Sequence, residues 1–135
     1  MAHTRDDAYQ LFFTGQQAYN PVSQQARQFP TGATRSDDTL KPDYEGYLSP
    51  LVIERFGQYM LQHSYAGQRT SDNWQKGIPQ AAYIKSAWRH FLVWWAGHRG
   101  QTTLDIEEAL CGLLFNTMGY LHERLKAKQC SPPAA

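Results

Sequence analysis

Acidic residues stand together where the last predicted helix begins, and their type suits the binding of a metal ion. Asp105 and Glu108 are three positions apart, so on a helix their side chains share one face. Two carboxylates on one face can hold a hard cation such as Mg²⁺ or Mn²⁺, whose ligands are carboxylate and phosphate oxygens. The same spacing fits a helix cap, because acidic side chains at a first turn accept hydrogen bonds and oppose the macrodipole. Spacing alone leaves both interpretations open.

The pair Arg89-His90 is a second candidate for chemistry, because it lies in the most apolar helical segment of the chain. A histidine there can be a metal ligand, a proton-transfer group or a hydrogen-bonded core residue. The arginine needs a partner, since an unpaired buried charge is costly. It can pair with a carboxylate such as Glu54 or Glu108, or bind a phosphate. We take His90 and Glu108 as candidate catalytic residues and Arg89 as a candidate phosphate ligand.

A long polar loop carries a third set of candidates. Residues 62–77 hold only two large apolar groups, and a structureless loop of that length is usually functional or disordered. Within it Asp72, Asn73, Trp74 and Lys76 supply an acceptor, an amide, a stacking face and a cation, which suits a nucleotide ligand. Trp74 can equally anchor the loop on the core, and Lys76 can be a solvated charge.

Other polar residues extend this nucleotide hypothesis. Arg35 and Lys41 lie in residues 31–47, where Gly, Pro, Asp and Ser are frequent and predict loop and turns. Both cations can neutralise phosphate charge. Asn116 lies in an apolar helical stripe, which is unfavourable unless its side chain hydrogen-bonds a ligand or a neighbouring helix.

Three helices are predicted to position these residues. The first opens at Ser49-Pro50, a capping side chain followed by proline at the first helical position, and it fades near Gly67. The second runs from Pro79 to about Gly97, and its second half is apolar nearly all round, as in a central helix or a subunit interface. The third begins at residues 103–105. Its apolar stripe consists of Ile106, Leu110, Leu113, Leu114, Met118, Leu121 and Leu125.

No strand pattern or Asn-Gly or Asp-Gly hairpin signal competes with these helices. The chain is therefore predicted to be all-α, a small bundle of three to four helices with a long N-terminal arm and loop. We divide it into an arm (1–30), a helical nucleotide-binding domain (31–128) and a flexible tail (129–135). So small a bundle buries little, which favours a homo-oligomer that associates through the aromatic helix.

Composition excludes several classes of function. With 41% hydrophobic and 19% charged residues the chain is an ordinary globular protein. A formal net charge of +1 argues against a dedicated nucleic-acid binder. No apolar run approaches the ~20 residues of a membrane span, and the polar N-terminus has no signal-peptide core, so we expect a cytoplasmic protein without membrane partners. Two cysteines make neither a disulfide framework nor a zinc site.

Several short motifs together resemble a phage-associated family described as the N-terminal domain of dATP/dGTP diphosphohydrolases. The resemblance covers residues 31–125, about two-thirds of the chain. It is carried by Gly32-Ala33-Thr34-Arg35, Lys41-Pro42-Asp43-Tyr44, Leu48-Ser49-Pro50, Asp72-Asn73-Trp74-Gln75-Lys76-Gly77-Ile78-Pro79, and Ser86 with Arg89-His90. Many members of the family carry His-x-x-His where this chain has Asp105-Ile106-Glu107-Glu108. The acidic version favours a harder metal than zinc.

The resemblance implies a phage protein that acts on purine deoxynucleotides in the host cytoplasm. The MazG-like all-α pyrophosphohydrolases associated with that activity carry Glu-Glu-x-x-Glu on one helix and Glu-x-x-Asp on another, and this chain has neither in full. Two functions are therefore expected. One is metal-dependent binding and hydrolysis of a purine deoxynucleoside triphosphate to the monophosphate and pyrophosphate. The other is sequestration of a nucleotide, including a host immune signalling nucleotide, without turnover.

Overall fold

The computed structural model of this chain describes residues 26–36, 38, 41–67 and 69–130, and for residues 65–67 it describes the backbone alone. The chain divides into two units between Tyr47 and Leu48. Most of the predicted N-terminal arm and the end of the predicted tail, residues 131–135, lie outside the described residues.

The N-terminal unit contains a small hairpin that the sequence analysis missed. Strands β1 (Ala26–Gln28) and β2 (Thr34–Ser36) pair antiparallel. The turn between them uses Gly32 at φ 85°, a left-handed conformation that favours glycine. The expectation that no strand forms is therefore wrong for these residues, because the hairpin closes through a longer turn than Asn-Gly or Asp-Gly would make.

The structure describes both candidate phosphate ligands of this unit, Arg35 and Lys41. Arg35 lies in β2 directly opposite Arg27 of β1, and the guanidinium of Arg27 pairs with Asp38 at 2.9 Å. The ammonium of Lys41 donates to the Ser36 hydroxyl at 3.0 Å. A short helix α1 (Tyr44–Tyr47) follows within the segment predicted as loop and turns.

Three longer helices form the second unit, and their bounds confirm the predicted helices closely. They are α2 (Pro50–Gly67), α3 (Gln80–His98) and α4 (Ile106–Cys130). The Ser49 hydroxyl caps α2 by accepting from the Val52 N–H at 3.4 Å. Among the described residues the only strands are the two of the hairpin. The prediction of an all-α bundle is confirmed.

The predicted loop over residues 62–77 is shorter than the sequence suggests. Helix α2 continues to Gly67, and Asn73–Lys76 form a short 3-10 helix. Most of the side chains described in this stretch are exposed, although much of its backbone is helical. Among the described residues, no helix combines the length and apolar character needed to cross a bilayer.

Helices α3 and α4 pack against each other through small residues. An added Cβ at Gly112 would overlap the ring of His90, and one at Gly119 would overlap the ring of Tyr83. The side chains buried here include Tyr83, Ala109 and Cys111. Most of the predicted stripe of α4 lies outside this core, since Leu110, Leu114, Met118, Leu121 and Leu125 are exposed, whereas Ile106 and Leu113 are half-buried. The small face of the helix packs inward because it permits a close approach.

Candidate functional site

Four polar side chains of α2 and α4 pair with one another, and the charges of two of them act on His90 of α3; we call these five residues the three-helix cluster. They are Arg55 and His63 of α2, His90 of α3, and Glu107 and Glu108 of α4. The guanidinium of Arg55 donates to Glu108 Oε2 at 3.0 Å and to Glu107 Oε2 at 3.4 Å. His63 Nε2 lies 3.9 Å from Glu108 Oε1. The charges of His63 and Glu108 both act on His90.

Helical spacing explains how α2 presents its part of the cluster. Arg55, Tyr59 and His63 are each four residues apart, so they share one face of the helix. Tyr59 is buried, and its ring lies 4.0 Å from that of His63. His63 Nδ1 is 2.9 Å from the carbonyl oxygen of Tyr59. Since a carbonyl oxygen only accepts, Nδ1 carries a proton and Nε2 is the nitrogen turned towards Glu108.

The cluster holds His90 in its neutral form at neutral pH. Burial lowers the pKa of His90 below its ordinary value of 6.5, and the positive charges of Arg89 and His63 lower this pKa further, whereas Glu108 opposes them. A neutral imidazole can accept a proton. The hydrogen bond to Glu108 raises the pKa of Arg55, so the guanidinium stays charged.

The lowered pKa of His90 predicts a loss of stability in acid. The unfolded chain binds a proton on this residue more tightly than the folded chain does. Above pH 6.5 His90 makes its full contribution to the free energy of unfolding. This contribution is lost as the pH falls from 6.5 through the pKa of the folded state. In urea titrations between about pH 7.5 and about pH 5, we expect His90→Gln to lose less stability than the parent chain. Identical pH dependence of the two proteins would contradict this.

Asp105 acts as the N-cap of α4. Its Oδ1 accepts from the backbone N–H groups of Glu107 at 2.9 Å and Glu108 at 3.2 Å. The capping interpretation is confirmed, and it fixes the first turn that carries both glutamates. Within the part of the chain that the structure describes, no group of three or more His, Cys, Asp or Glu side chains is arranged to hold a metal ion.

The loop candidates lie at the other end of α4. The ring of Trp74 packs edge-to-face against His122, with 4.7 Å between ring centroids, so Trp74 anchors the loop on the bundle. A hydrogen bond from Thr70 is the main cause that lowers the pKa of Asp72, and Lys76 contributes to it. Asn73 is half-buried and Lys76 exposed. The loop is thus stabilised by its own contacts.

Distance along α4 separates the loop from the three-helix cluster. Glu108 lies in the first turn and His122, which contacts Trp74, lies nearly four turns later, about 20 Å along the helix axis. The structure therefore brings His90 and Glu108 together but keeps Trp74 apart from both. Within one copy, a nucleotide with its α-phosphorus at the cluster does not place its base on Trp74.

Asn116 lies between these two regions. Its side chain is 4% exposed and its amide donates to the carbonyl of Gly112, one turn earlier, at 2.7 Å. The buried side chain of Asn116 therefore has a hydrogen-bond partner within its own helix. Asn116 also borders a cavity of about 240 Å³ between α3 and α4. The cavity is lined by Tyr83, Ile84, Ala87, Asn116, Thr117, Tyr120, Leu121 and Arg124.

The sequence analysis offered Glu108 as one possible partner of Arg89, and the structure gives this carboxylate a different arginine. Arg89 is exposed and donates to the Ser86 hydroxyl at 3.2 Å, whereas Arg55 of α2 makes the bond to Glu108. Arg55 and His63 were both missed. Their spacing with Tyr59 was the available signal, since polar side chains four residues apart on a packed helix share a face.

The three-helix cluster contains both candidate catalytic side chains, His90 and Glu108, and the charge of the second acts on the first. A comparison of the chain with protein-family models, with curated proteins and with solved structures found no match to any of them. The family resemblance therefore stays a prediction carried by the quoted motifs.

Proposed function

We propose that the chain binds a purine deoxynucleoside triphosphate with Mg²⁺ or Mn²⁺ at the three-helix cluster and hydrolyses it to the monophosphate and pyrophosphate. The observation that supports this most is the convergence of His90 and Glu108, from different helices, beside the guanidinium of Arg55. Clustered groups with perturbed pKa values are typical of functional sites. The substrate class comes from the motif resemblance.

Glu107 and Glu108 are the residues that would hold the cation. Mg²⁺ is commonly bound by one or two carboxylates together with substrate phosphates, so two adjacent glutamates fit this mode without a third protein ligand. Asp105 supports them, because its Oδ1 fixes the turn from which both project. When bound, the cation neutralises phosphate charge and orients the phosphates for in-line attack.

His90 has the role of general base in this proposal. Its neutral imidazole accepts a proton from water as the water oxygen forms a bond to the α-phosphorus. The bond from that phosphorus to the bridging oxygen breaks, and pyrophosphate leaves with the electron pair. Arg55, always protonated, would be free to exchange its bonds to the glutamates for bonds to phosphate oxygens if those glutamates held the cation.

The cluster accounts for the phosphates but not for base recognition. Asp72, Asn73, Trp74 and Lys76 lie about 20 Å along α4 from the carboxylates, so the proposal uses none of them for a nucleotide bound at the cluster of the same copy. Arg35 and Lys41 belong to the N-terminal unit. They stay candidate phosphate ligands.

Sequestration without turnover is the second candidate, and the Arg55 contacts favour it. Both glutamates already share the positive charge of one guanidinium, and Asp105 is occupied as a cap. A site built this way can bind a nucleotide and leave it intact.

Release of pyrophosphate tests the proposal. The purified chain is incubated with dGTP or dATP and Mg²⁺ or Mn²⁺, and the products are separated after denaturation. Equal amounts of monophosphate and pyrophosphate are expected, and EDTA should abolish both. Recovery of bound but intact nucleotide would select sequestration. If no nucleotide raises the melting temperature, with or without metal, both functions are overturned.

A further inference from the structure

Helix α3 has a second apolar face that no element among the described residues covers. Its inward face packs on α4 through Tyr83 and His90. Its outward face carries a stripe at helical spacing, about 100° wide, whose members are 38% to 59% exposed. We call it the aromatic stripe, and it consists of Ile84, Trp88, Phe91, Leu92 and Trp95. A continuous apolar face of this kind indicates a contact outside the chain.

Basic side chains flank the aromatic stripe on both sides. Arg89 is three residues before Leu92 and four after Lys85, so both cations run along the Leu92 edge of the stripe. Arg124 of α4 and Ile84 line the same cavity between the two helices, which places Arg124 at the other edge. All three cations are exposed. Among the described residues, none of them forms an ion pair with a carboxylate.

The charge around the stripe has a single sign. Residues 73–104, which include the whole of α3, contain no Asp or Glu. The complementary surface is therefore apolar where it meets the stripe and anionic where it meets the flanking cations. Tryptophan and leucine on one face of a helix, with Lys and Arg beside them, are typical of helices that lie in the interface of an anionic membrane.

The shape of this face favours lipid over an acidic protein. The aromatic stripe is the outer side of one helix of 19 residues, about 28 Å long, so it forms a convex ridge. The core of a protein interface needs a partner surface of matching shape, whereas the binding of a helix to a lipid interface depends on its buried apolar area and its charge. Trp88 and Trp95 suit the boundary layer, because an indole ring is apolar and its N–H can bond the headgroups.

We propose that α3 docks the chain on an anionic phospholipid surface. The aromatic stripe lies between headgroups and acyl chains, and Lys85, Arg89 and Arg124 lie among the headgroup phosphates. The helix lies in the plane of the membrane and does not cross it. The expectation that the chain has no membrane partners rested on the lack of a spanning segment, which a helix in this position does not need. This inference does not depend on nucleotide binding or hydrolysis.

Binding of the full chain to lipid vesicles tests the proposal. One set of vesicles contains equal parts of phosphatidylcholine and phosphatidylglycerol, and the other contains phosphatidylcholine alone. The chain should sediment with the anionic vesicles only, and its tryptophan emission should shift to shorter wavelength on binding. Raising the salt to about 0.5 M should release most of the chain, because the screening length then falls well below its physiological value of about 8 Å.

A tryptophan variant tests the apolar part of the contact. Trp88→Ala combined with Trp95→Ala should lower the partition coefficient by more than about tenfold, because two large apolar side chains no longer enter the lipid. Both side chains are exposed, so their removal leaves the core intact. Leu51→Ala is the control, since Leu51 is 79% exposed but lies on α2.

A lysine variant tests the charged part. Lys85→Gln should lower the partition coefficient about fivefold, the usual contribution of one cation near an anionic lipid surface. Lys126→Gln is the matched control. Lys126 is also exposed on a helix, and it is two residues from Arg124, so it projects from the opposite side of α4.

Three results would each overturn the proposal. Failure to bind anionic vesicles at any lipid concentration would leave an acidic protein surface as the match for the stripe. Binding that neither the tryptophan variant nor Lys85→Gln weakens would place the contact elsewhere on the chain. A parent chain with twice the mass of 15.5 kDa in sedimentation equilibrium, which the tryptophan variant returns to a single mass, would show that a second copy covers the stripe.

Discussion

Replacing His90 with glutamine is expected to lower the rate of pyrophosphate release by about 10²–10⁴-fold, the usual contribution of general acid–base catalysis. Glutamine keeps a polar side chain of similar reach at this position but cannot take up the proton of the attacking water. Because Glu107, Glu108 and Arg55 are untouched, KM for the nucleotide should change little. The loss should therefore appear in kcat.

The pH profile separates a base from a structural histidine. Burial and the nearby cations lower the pKa of His90 below 6.5, so kcat/KM should be flat around neutral pH and fall as acid protonates the imidazole. His98→Gln is the matched control, since His98 is exposed in the last turn of the same helix. A His90→Gln enzyme with the parent's kcat and acid limb would remove His90 from the mechanism.

The helices could be predicted because their signals are local. Ser49-Pro50 sets the start of α2, Asp105 caps α4, and glycine or proline stands near the other helix ends. Apolar periodicity located α3 and α4 equally well. Capping and periodicity depend on residues within about one or two turns, which a sequence displays directly.

Local sequence signals did not predict which face of α3 or α4 packs inward. The sequence analysis located an apolar stripe on α4 but did not establish which face of the helix packs inward. The structure buries the small face, where Gly112 and Gly119 admit the rings of His90 and Tyr83. That choice depends on how two helices fit together, and spacing within one helix does not encode it.

The three-helix cluster was predicted in part for a related reason. His90 and Glu108 stood out because polar residues in apolar helices need partners. Arg55 did not, since its bond to Glu108 spans more than fifty residues of sequence. The hairpin was missed because its strands are only three residues long and exposed, which leaves no alternation to detect.

Gly112→Ala and Gly119→Ala are each expected to lower the free energy of unfolding by about 2 kcal/mol. The added methyl group would overlap a packed ring, His90 in one case and Tyr83 in the other, and overpacking a close-packed site costs about 1–3 kcal/mol. The higher helix propensity of alanine returns up to about 1 kcal/mol. Since the overlap is severe and Tyr83 is 2% exposed, we place the cost at the upper end of its range. Urea unfolding at neutral pH measures the change.

Gly57→Ala is the control that isolates the packing effect. Gly57 also lies inside a helix, but a Cβ there meets nothing within 4 Å, so alanine should stabilise the chain by up to about 1 kcal/mol. Gly112→Ala should also reduce pyrophosphate release beyond its effect on stability, because it displaces the ring of His90. Gly119→Ala presses on Tyr83 instead, so its activity per folded molecule should match the parent. Equal activity losses in both glycine variants would show that Gly112 has no separate role in positioning His90.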